Sequence, residues 1–127
     1  MFSEPEITYL NTQRLARIAT VSADGQPDVA PIVFRFEYPD IYISGRSIEK
    51  TLKFKNIMAG KSLVAIVVDD LETVSPWKPR GIKIHGRAEI VALPGSGSVI
   101  KLTPITHWHW GIVGSSYAVQ KVEWQTA

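Results

Sequence analysis

The sequence contains no cysteine. A disulfide framework, a thiolate zinc site and a cysteine nucleophile are therefore excluded. Long hydrophobic runs are missing too: the longest, Leu63 to Val68, is far short of a membrane span. The opening Met1-Phe2-Ser3-Glu4-Pro5-Glu6 has neither a basic n-region nor an apolar h-region. No signal peptide is expected, and a cytoplasmic location without a membrane partner is the default. Charge of one sign is scarce, with 14 basic residues against 12 acidic ones and a net charge of +2. That balance does not argue for nucleic acid, although it permits a local anion site. There is no Gly-x-Ser-x-Gly elbow, Walker loop or Rossmann glycine fingerprint. What remains is ordinary globular material: 127 residues, 45% apolar and 20% charged, read as one domain over residues 1–127.

Turn and capping signals divide the chain. Ser3 as N-cap, followed by Pro5 and Glu6, predicts a short helix to about Asn11. Arg17–Ser22, Val29–Phe36 and Ile41–Ser44 read as strands joined by turns at Asp24-Gly25 and Tyr38-Pro39-Asp40, an antiparallel meander. Ser47 to Ala59 reads as a helix capped by Ser47 and stopped by Gly60, with Ile48, Leu52, Phe54, Ile57 and Met58 packed and Glu49, Lys53 and Asn56 outward. Leu63–Val68 is apolar without alternation, which predicts a strand buried on both faces. Thr73–Pro79 reads as a loop. Ile82–Val91 alternates, with Ile82, Ile84, Ala88 and Ile90 on one face and Lys83, His85, Arg87 and Glu89 on the other. Pro94-Gly95-Ser96-Gly97 is a tight connection. Ile100–Leu102 and Ile105–Ile112 are the last strands, broken near Pro104. So many short strands with one internal helix predict a mainly β fold, a closed or split antiparallel barrel.

Three constellations could carry chemistry. In the first, a strand ends in Ser44-Gly45 and a helix begins at once after Arg46-Ser47, with Thr51 and Lys53 following. Unpaired backbone N–H groups, hydroxyls and the cations Arg46, Lys50 and Lys53 together make a phosphate cradle. An ordinary capped helix with solvated basic residues has the same pattern. The second is the basic face of Lys83, His85 and Arg87, a groove for an acidic ligand or a plain solvent-facing surface. The third is His107-Trp108-His109-Trp110, which puts both tryptophans on one strand face and both histidines on the other. Paired tryptophans suit a flat aromatic ligand, a subunit interface or the core. Metal is not expected, because His85 is the only histidine left to join His107 and His109. A phosphate cradle with aromatic faces and no acid–base constellation suits a cofactor that brings its own chemistry.

Several segments together resemble the pyridoxamine-phosphate-oxidase-like split barrels. They are Arg17-Ile18-Ala19-Thr20-Val21 with Asp24-Gly25-Gln26-Pro27 and the Pro31 strand, then Ser44-Gly45 with Thr51-x-Lys53-x-x-Asn56-Ile57, then Gly86-Arg87-Ala88-Glu89. A narrower likeness, in Val67-Val68-Asp69-Asp70-Leu71, Pro76-Trp77-x-Pro79-Arg80-Gly81, Ile105 and Trp110-Gly111-Ile112, is to the actinobacterial deazaflavin-dependent subgroup. The resemblance implies a six-stranded antiparallel split β-barrel with one internal and one short N-terminal helix, forming a homodimer. It implies a cofactor at the dimer interface, the deazaflavin coenzyme factor 420 or alternatively FMN. By position, Ser44, Gly45, Arg46, Thr51 and Lys53 would hold its phosphate end, Ile32, Val33 and Phe34 would pass along the ring, and Arg80 and Gly81 would lie near the ring or ribityl chain. Trp108 and Trp110 would come from the partner subunit. The glutamine that pyridoxamine-phosphate oxidases carry at the position of Gly81 is absent, as is their C-terminal Arg-x-His segment.

The expected function is an oxidoreductase moving a hydride between that cofactor and a small organic molecule, with no catalytic side chain assigned. The basic Lys83–Arg87 face suits the polyglutamate tail of a deazaflavin, which FMN lacks. A non-catalytic cofactor carrier or sensor is the alternative. A polyanion binder using the same face ranks lowest because the net charge is small.

Overall fold

The computed structural model describes residues 1–95, 97–114 and 117–125. Helix α1 (Glu4–Thr12) starts as expected, in a capping box where the Ser3 hydroxyl meets the Glu6 amide and the Glu6 carboxylate accepts from the Ser3 amide. Strands β1 (Leu15–Val21), β2 (Pro27–Val33), β3 (Arg35–Glu37) and β4 (Asp40–Ile43) follow, so the single strand expected over Val29–Phe36 is two strands interrupted at Phe34. A 3₁₀ turn (Ile48–Lys50) and helix α2 (Leu52–Met58) lead to β5 (Leu63–Thr73), β6 (Lys78–Leu93), β7 (Gly97–Trp110) and β8 (Gln120–Glu123).

All pairings are antiparallel within one open sheet of order β2-β1-β5-β6-β7-β4-β3, with β8 on β7. This is the mainly β split-barrel architecture, with eight strands where six were expected. The core lies on the inner face, where Ile18, Ile41, Ile43, Ile66, Val68, Ile82, Ile84, Ile100 and Leu102 are all but inaccessible.

Four local expectations need correction. The helix of Ser47–Ala59 is broken: Ser47 is left-handed (φ 56°) and caps nothing, while Thr51 accepts from the Phe54 amide and caps a helix of only seven residues. The shorter helix presents a different face. Leu52 and Met58 are exposed, whereas Asn56 is buried and donates from Nδ2 to the Thr20 hydroxyl at 2.9 Å, pinning α2 to β1. The Thr73–Pro79 loop is a four-residue turn, since β5 and β6 extend to Thr73 and from Lys78. β7 runs unbroken through Pro104. The ladder absorbs the missing N–H by shifting register between His85 and Gly86, opposite Pro104. Finally, β5 is buried on one face only; Leu63 is exposed, and Ala65 and Val67 are half-buried. The Pro94–Gly97 connection is a turn as expected, with Ser96 outside the described residues.

Candidate functional site

The end of β2 and the end of β4 open on the same side of the 3₁₀ turn. Between them lies a cavity of about 290 Å³ lined by Pro31, Ile32, Val33, Ser44, Gly45, Arg46, Ile48, Thr51 and Lys53. Seven of the twelve residues singled out in the sequence thus meet in one place. A Cβ built on Gly45 would meet nothing within 4 Å, and its φ is not left-handed. Neither the backbone nor packing demands glycine there, so its effect is to leave room in the wall.

The electrostatics differ in detail from the sequence expectation. The Thr51 hydroxyl is committed, donating to the Ile48 carbonyl at 2.6 Å and accepting from Phe54. Thr51 therefore shapes the cradle by holding the turn and does not offer a donor to it. A seven-residue helix also has a small macrodipole, so the positive field comes mainly from side chains. None of the ion pairs among the described residues uses Arg46, Lys50 or Lys53. A cation 4 Å from an anion gains roughly 1 kcal/mol in bulk water and roughly 4 at the effective dielectric of a protein surface. Two or three such contacts favour a phosphate group there.

The other expected residues stand elsewhere in the single chain. Phe34 packs against the core beside the cavity's β2 wall. Arg80 is occupied: it forms a two-pronged pair with Asp70 (Nε–Oδ1 2.8 Å, Nη2–Oδ2 3.0 Å), and the Tyr9 hydroxyl donates to the same Oδ1 at 2.9 Å. The Arg80 guanidinium holds the Asp70 carboxyl below its ordinary value. Burial, followed by the Asp70 contact, pushes the Tyr9 phenol up. Gly81 lies under the Trp110 indole; a Cβ there would fall 2.4 Å from Trp110 Cζ2 and 2.9 Å from Asp69 Cβ.

Trp108 is not a core residue. It lies on the outer sheet face, with Lys83 Nζ 4.4 Å and Lys121 Nζ 5.9 Å from its ring centre and the His85 ring 4.6 Å away, edge-on. The histidine side of that strand faces inward, where His107 is fully buried. Among the described residues no three His, Asp or Glu side chains gather as a metal site.

The outer sheet face carries a group of apolar side chains. The β1–β2 and β1–β5 registers line up Val29, Ala19 and Ala65, with Val67, Leu63 and Val33 around them and Lys83, His85 and Arg87 along one side. Val29, Val33, Leu63 and Leu15 are 67, 66, 61 and 54% exposed, an apolar plateau crossed by the Arg17–Asp69 ion pair. Sequence reasoning missed the long-range polar links Tyr9–Asp70–Arg80, Thr20–Asn56 and Glu6–His107–Trp124; their partners are far apart in the chain and no spacing rule joins them.

A family model described as pyridoxamine 5'-phosphate oxidase matches residues 4–103. The chain belongs to the pyridoxamine 5'-phosphate oxidase family. Within this family, it is 38% identical over 124 residues, 89% of this chain and 85% of the relative, to a 5a,11a-dehydrotetracycline/5a,11a-dehydrooxytetracycline reductase of Streptomyces rimosus. Its fold is shared with a conserved hypothetical protein of Mycobacterium tuberculosis, at TM-score 0.73 and 19% identity over 89% of this chain and 87% of the other. It is shared also with a protein named F420 reductase, at TM-score 0.61 and 21% identity over 75% of this chain and 89% of the other. No helix among the described residues is long and apolar enough to cross a membrane.

Proposed function

We propose that this member of the pyridoxamine 5'-phosphate oxidase family is an oxidoreductase that binds coenzyme factor 420, or alternatively FMN, and transfers a hydride to or from a small organic molecule. The observation that carries this reading is the cavity between β2 and β4, where Arg46 and Lys53 reach the wall that Gly45 leaves open, neither cation in an ion pair among the described residues. When bound, the cofactor supplies the hydride chemistry itself. The chain's work is then binding and orientation. Arg46 and Lys53 neutralise the phosphate, Ser44 and Gly45 let it approach the backbone, and Ile32 and Val33 give the bound molecule an apolar edge.

A cavity of about 290 Å³ lies at the small end of the roughly 300–1,000 Å³ usual for ligand sites. It suits the phosphate end and leaves the ring on the outer face. We read the apolar plateau there as the surface that a second copy covers in a homodimer. β5 is apolar on both faces, and one chain buries only one of them. Across that interface Trp108 and Trp110 would flank the partner's cofactor, with Arg80 and Gly81 near its ring or ribityl chain. The Lys83, His85 and Arg87 face would attract a polyglutamate tail, which favours the deazaflavin.

The relative's name supports an unsaturated polycyclic substrate of the dehydrotetracycline type, met in the cytoplasm. The test is turnover with reduced factor 420 and with reduced FMN against such a substrate, alongside light scattering for mass. Saturable oxidation of one reduced cofactor by a dimer supports the reading. Cofactor binding without turnover across a panel of unsaturated acceptors would instead make the protein a carrier.

A further inference from the structure

Three distant parts of the chain meet at a buried histidine that the cofactor reading does not use. The His107 side chain is fully buried on β7. Its Nε2 lies 2.5 Å from Glu6 Oε2 on α1, and its Nδ1 lies 2.8 Å from Trp124 Nε1, just past β8. The indole nitrogen is a donor only, so Nδ1 must accept and carries no proton. The neutral ring therefore keeps its proton on Nε2 and donates it to Glu6. The second Glu6 oxygen accepts from the Ser3 amide at 2.8 Å. No buried side-chain polar atom among the described residues is left without a partner.

We propose that His107 is a proton-operated latch, holding Trp124 and the β8 strap against β7 only while its imidazole is neutral. A second proton must go on Nδ1, which would then point an N–H at the indole N–H. Two donors facing each other in a buried site lose one hydrogen bond and leave both groups unsatisfied. Glu6 and α1 cannot yield easily, because Phe2, its ring tilted against that of His107 at 4.6 Å, and the capping box anchor them. Trp124 is the weaker side: it is half-buried, follows a four-residue strand held by four ladder positions, and is tied beyond it by one amide bond to the Ile105 carbonyl at 2.9 Å and one edge-on ring contact with Phe2 at 4.9 Å. Protonation thus expels the indole while the imidazolium keeps Glu6.

The titratable groups facing His107 are few. From α1 there is only Glu6. From β7 itself there is His109, its ring centre 6.3 Å away. The neighbouring strands contribute Ile84 and Val122 at the paired positions. Burial works to raise the Glu6 carboxyl, but bonds from His107 and Ser3 outweigh it and leave the group below its ordinary value, so the latch has its counter-charge ready. Trp124 also forms one wall of a cavity of about 810 Å³ with Pro39, Arg87, Pro104 and Ile105, and release of the indole opens that wall.

Hydrogen–deuterium exchange of the full chain tests the latch, with rates corrected for the intrinsic pH dependence. The two conditions are about pH 7.5 and about pH 5.5, because histidine is the side chain whose charge changes in the range between them. In the unmodified protein the peptide covering 120–125 should lose protection by about tenfold or more at the lower pH, while 63–68 in the core stays protected. His107→Gln presents an acceptor to Trp124 and a donor to Glu6 but does not titrate, so its β8 protection should be the same at both pH values. Trp124→Phe keeps the ring and removes the N–H, so its weaker protection should also be independent of pH. Equal protection of the unmodified protein at both pH values would overturn the proposal. So would an unchanged pH dependence in either variant, and Trp124→Phe decides the matter alone if His107→Gln does not fold.

Discussion

Replacing Gly81 by alanine asks whether this glycine serves packing. The added Cβ would stand 2.4 Å from Trp110 Cζ2, 2.8 Å from Trp110 Cε2 and 2.9 Å from Asp69 Cβ. Real Cβ contacts of this kind begin near van der Waals distance, so about an ångström of movement is needed on two sides at once. Asp69 Cβ cannot supply it alone, because its strand is paired to Gly81 directly and to β1 next door. Trp110 must tilt away, off the half-buried position it occupies over β6. Overpacking of this degree costs about 1–3 kcal/mol. At this chain length each kcal/mol lowers the melting temperature by roughly 3–6 °C. The melting temperature of Gly81→Ala should therefore fall by roughly 3–18 °C, with urea unfolding giving the free energy directly. The mechanism predicts coupling: in Trp110→Ala the space is already empty, so adding Gly81→Ala should cost at least about 1 kcal/mol less than it does alone. An alanine variant melting within about 2 °C of the parent would refute the packing argument. Strict additivity with Trp110→Ala would do the same.

Other expectations follow from the same geometry. Asp70 has its folded pKa lowered, chiefly by Arg80. Its stabilising contribution is therefore present above the unfolded carboxylate value of about 3.9 and lost as pH falls through the lower folded value. Urea midpoints measured between about pH 5 and about pH 2.5 should fall more steeply for the parent than for Asp70→Asn, which also loses about 1–2 kcal/mol at neutral pH. Asn56→Ala removes the buried donor to Thr20 and should cost about 1–3 kcal/mol by urea unfolding, loosening the helix that carries the cradle. Leu63→Glu places a charge among the exposed apolar side chains of that sheet face. It should shift the mass measured by light scattering from dimer to monomer while the circular dichroism spectrum is kept.

Much of the architecture was legible because the local signals agree with the tertiary solution. The Ser3-x-x-Glu6 box, the Asp24-Gly25 turn and the alternation of Ile82, Ile84 and Ala88 each point to what forms. Legibility failed where long-range packing overrode local preference. Pro104 looks like a strand breaker, but a register shift opposite Gly86 lets β7 pass. Ser47 looks like an N-cap, yet the chain must turn there through a left-handed residue before Thr51 can start the helix. Five of the candidate site residues, Ser44, Gly45, Arg46, Thr51 and Lys53, cluster because they sit at one strand–helix junction, where sequence proximity nearly guarantees spatial proximity; Ile32 and Val33 join them from β2. The sequence places Arg80 and Trp108 by position alone. Their actual partners, Asp70 and Tyr9 for one and Lys83, Lys121 and His85 for the other, come from registers that a single sequence does not display.

The central claim is that the cavity between β2 and β4 holds a flavin-type cofactor by its phosphate end. The direct measurement is a parallel binding titration of the purified protein and of the Arg46→Ala, Lys53→Ala double variant with factor 420 and with FMN. The account predicts micromolar or tighter binding of factor 420, weaker binding of FMN, and a loss of about 10-fold or more in the double variant, equivalent to at least about 1.4 kcal/mol. No binding of either cofactor at micromolar concentration, or equal binding by the parent and the double variant, would contradict it.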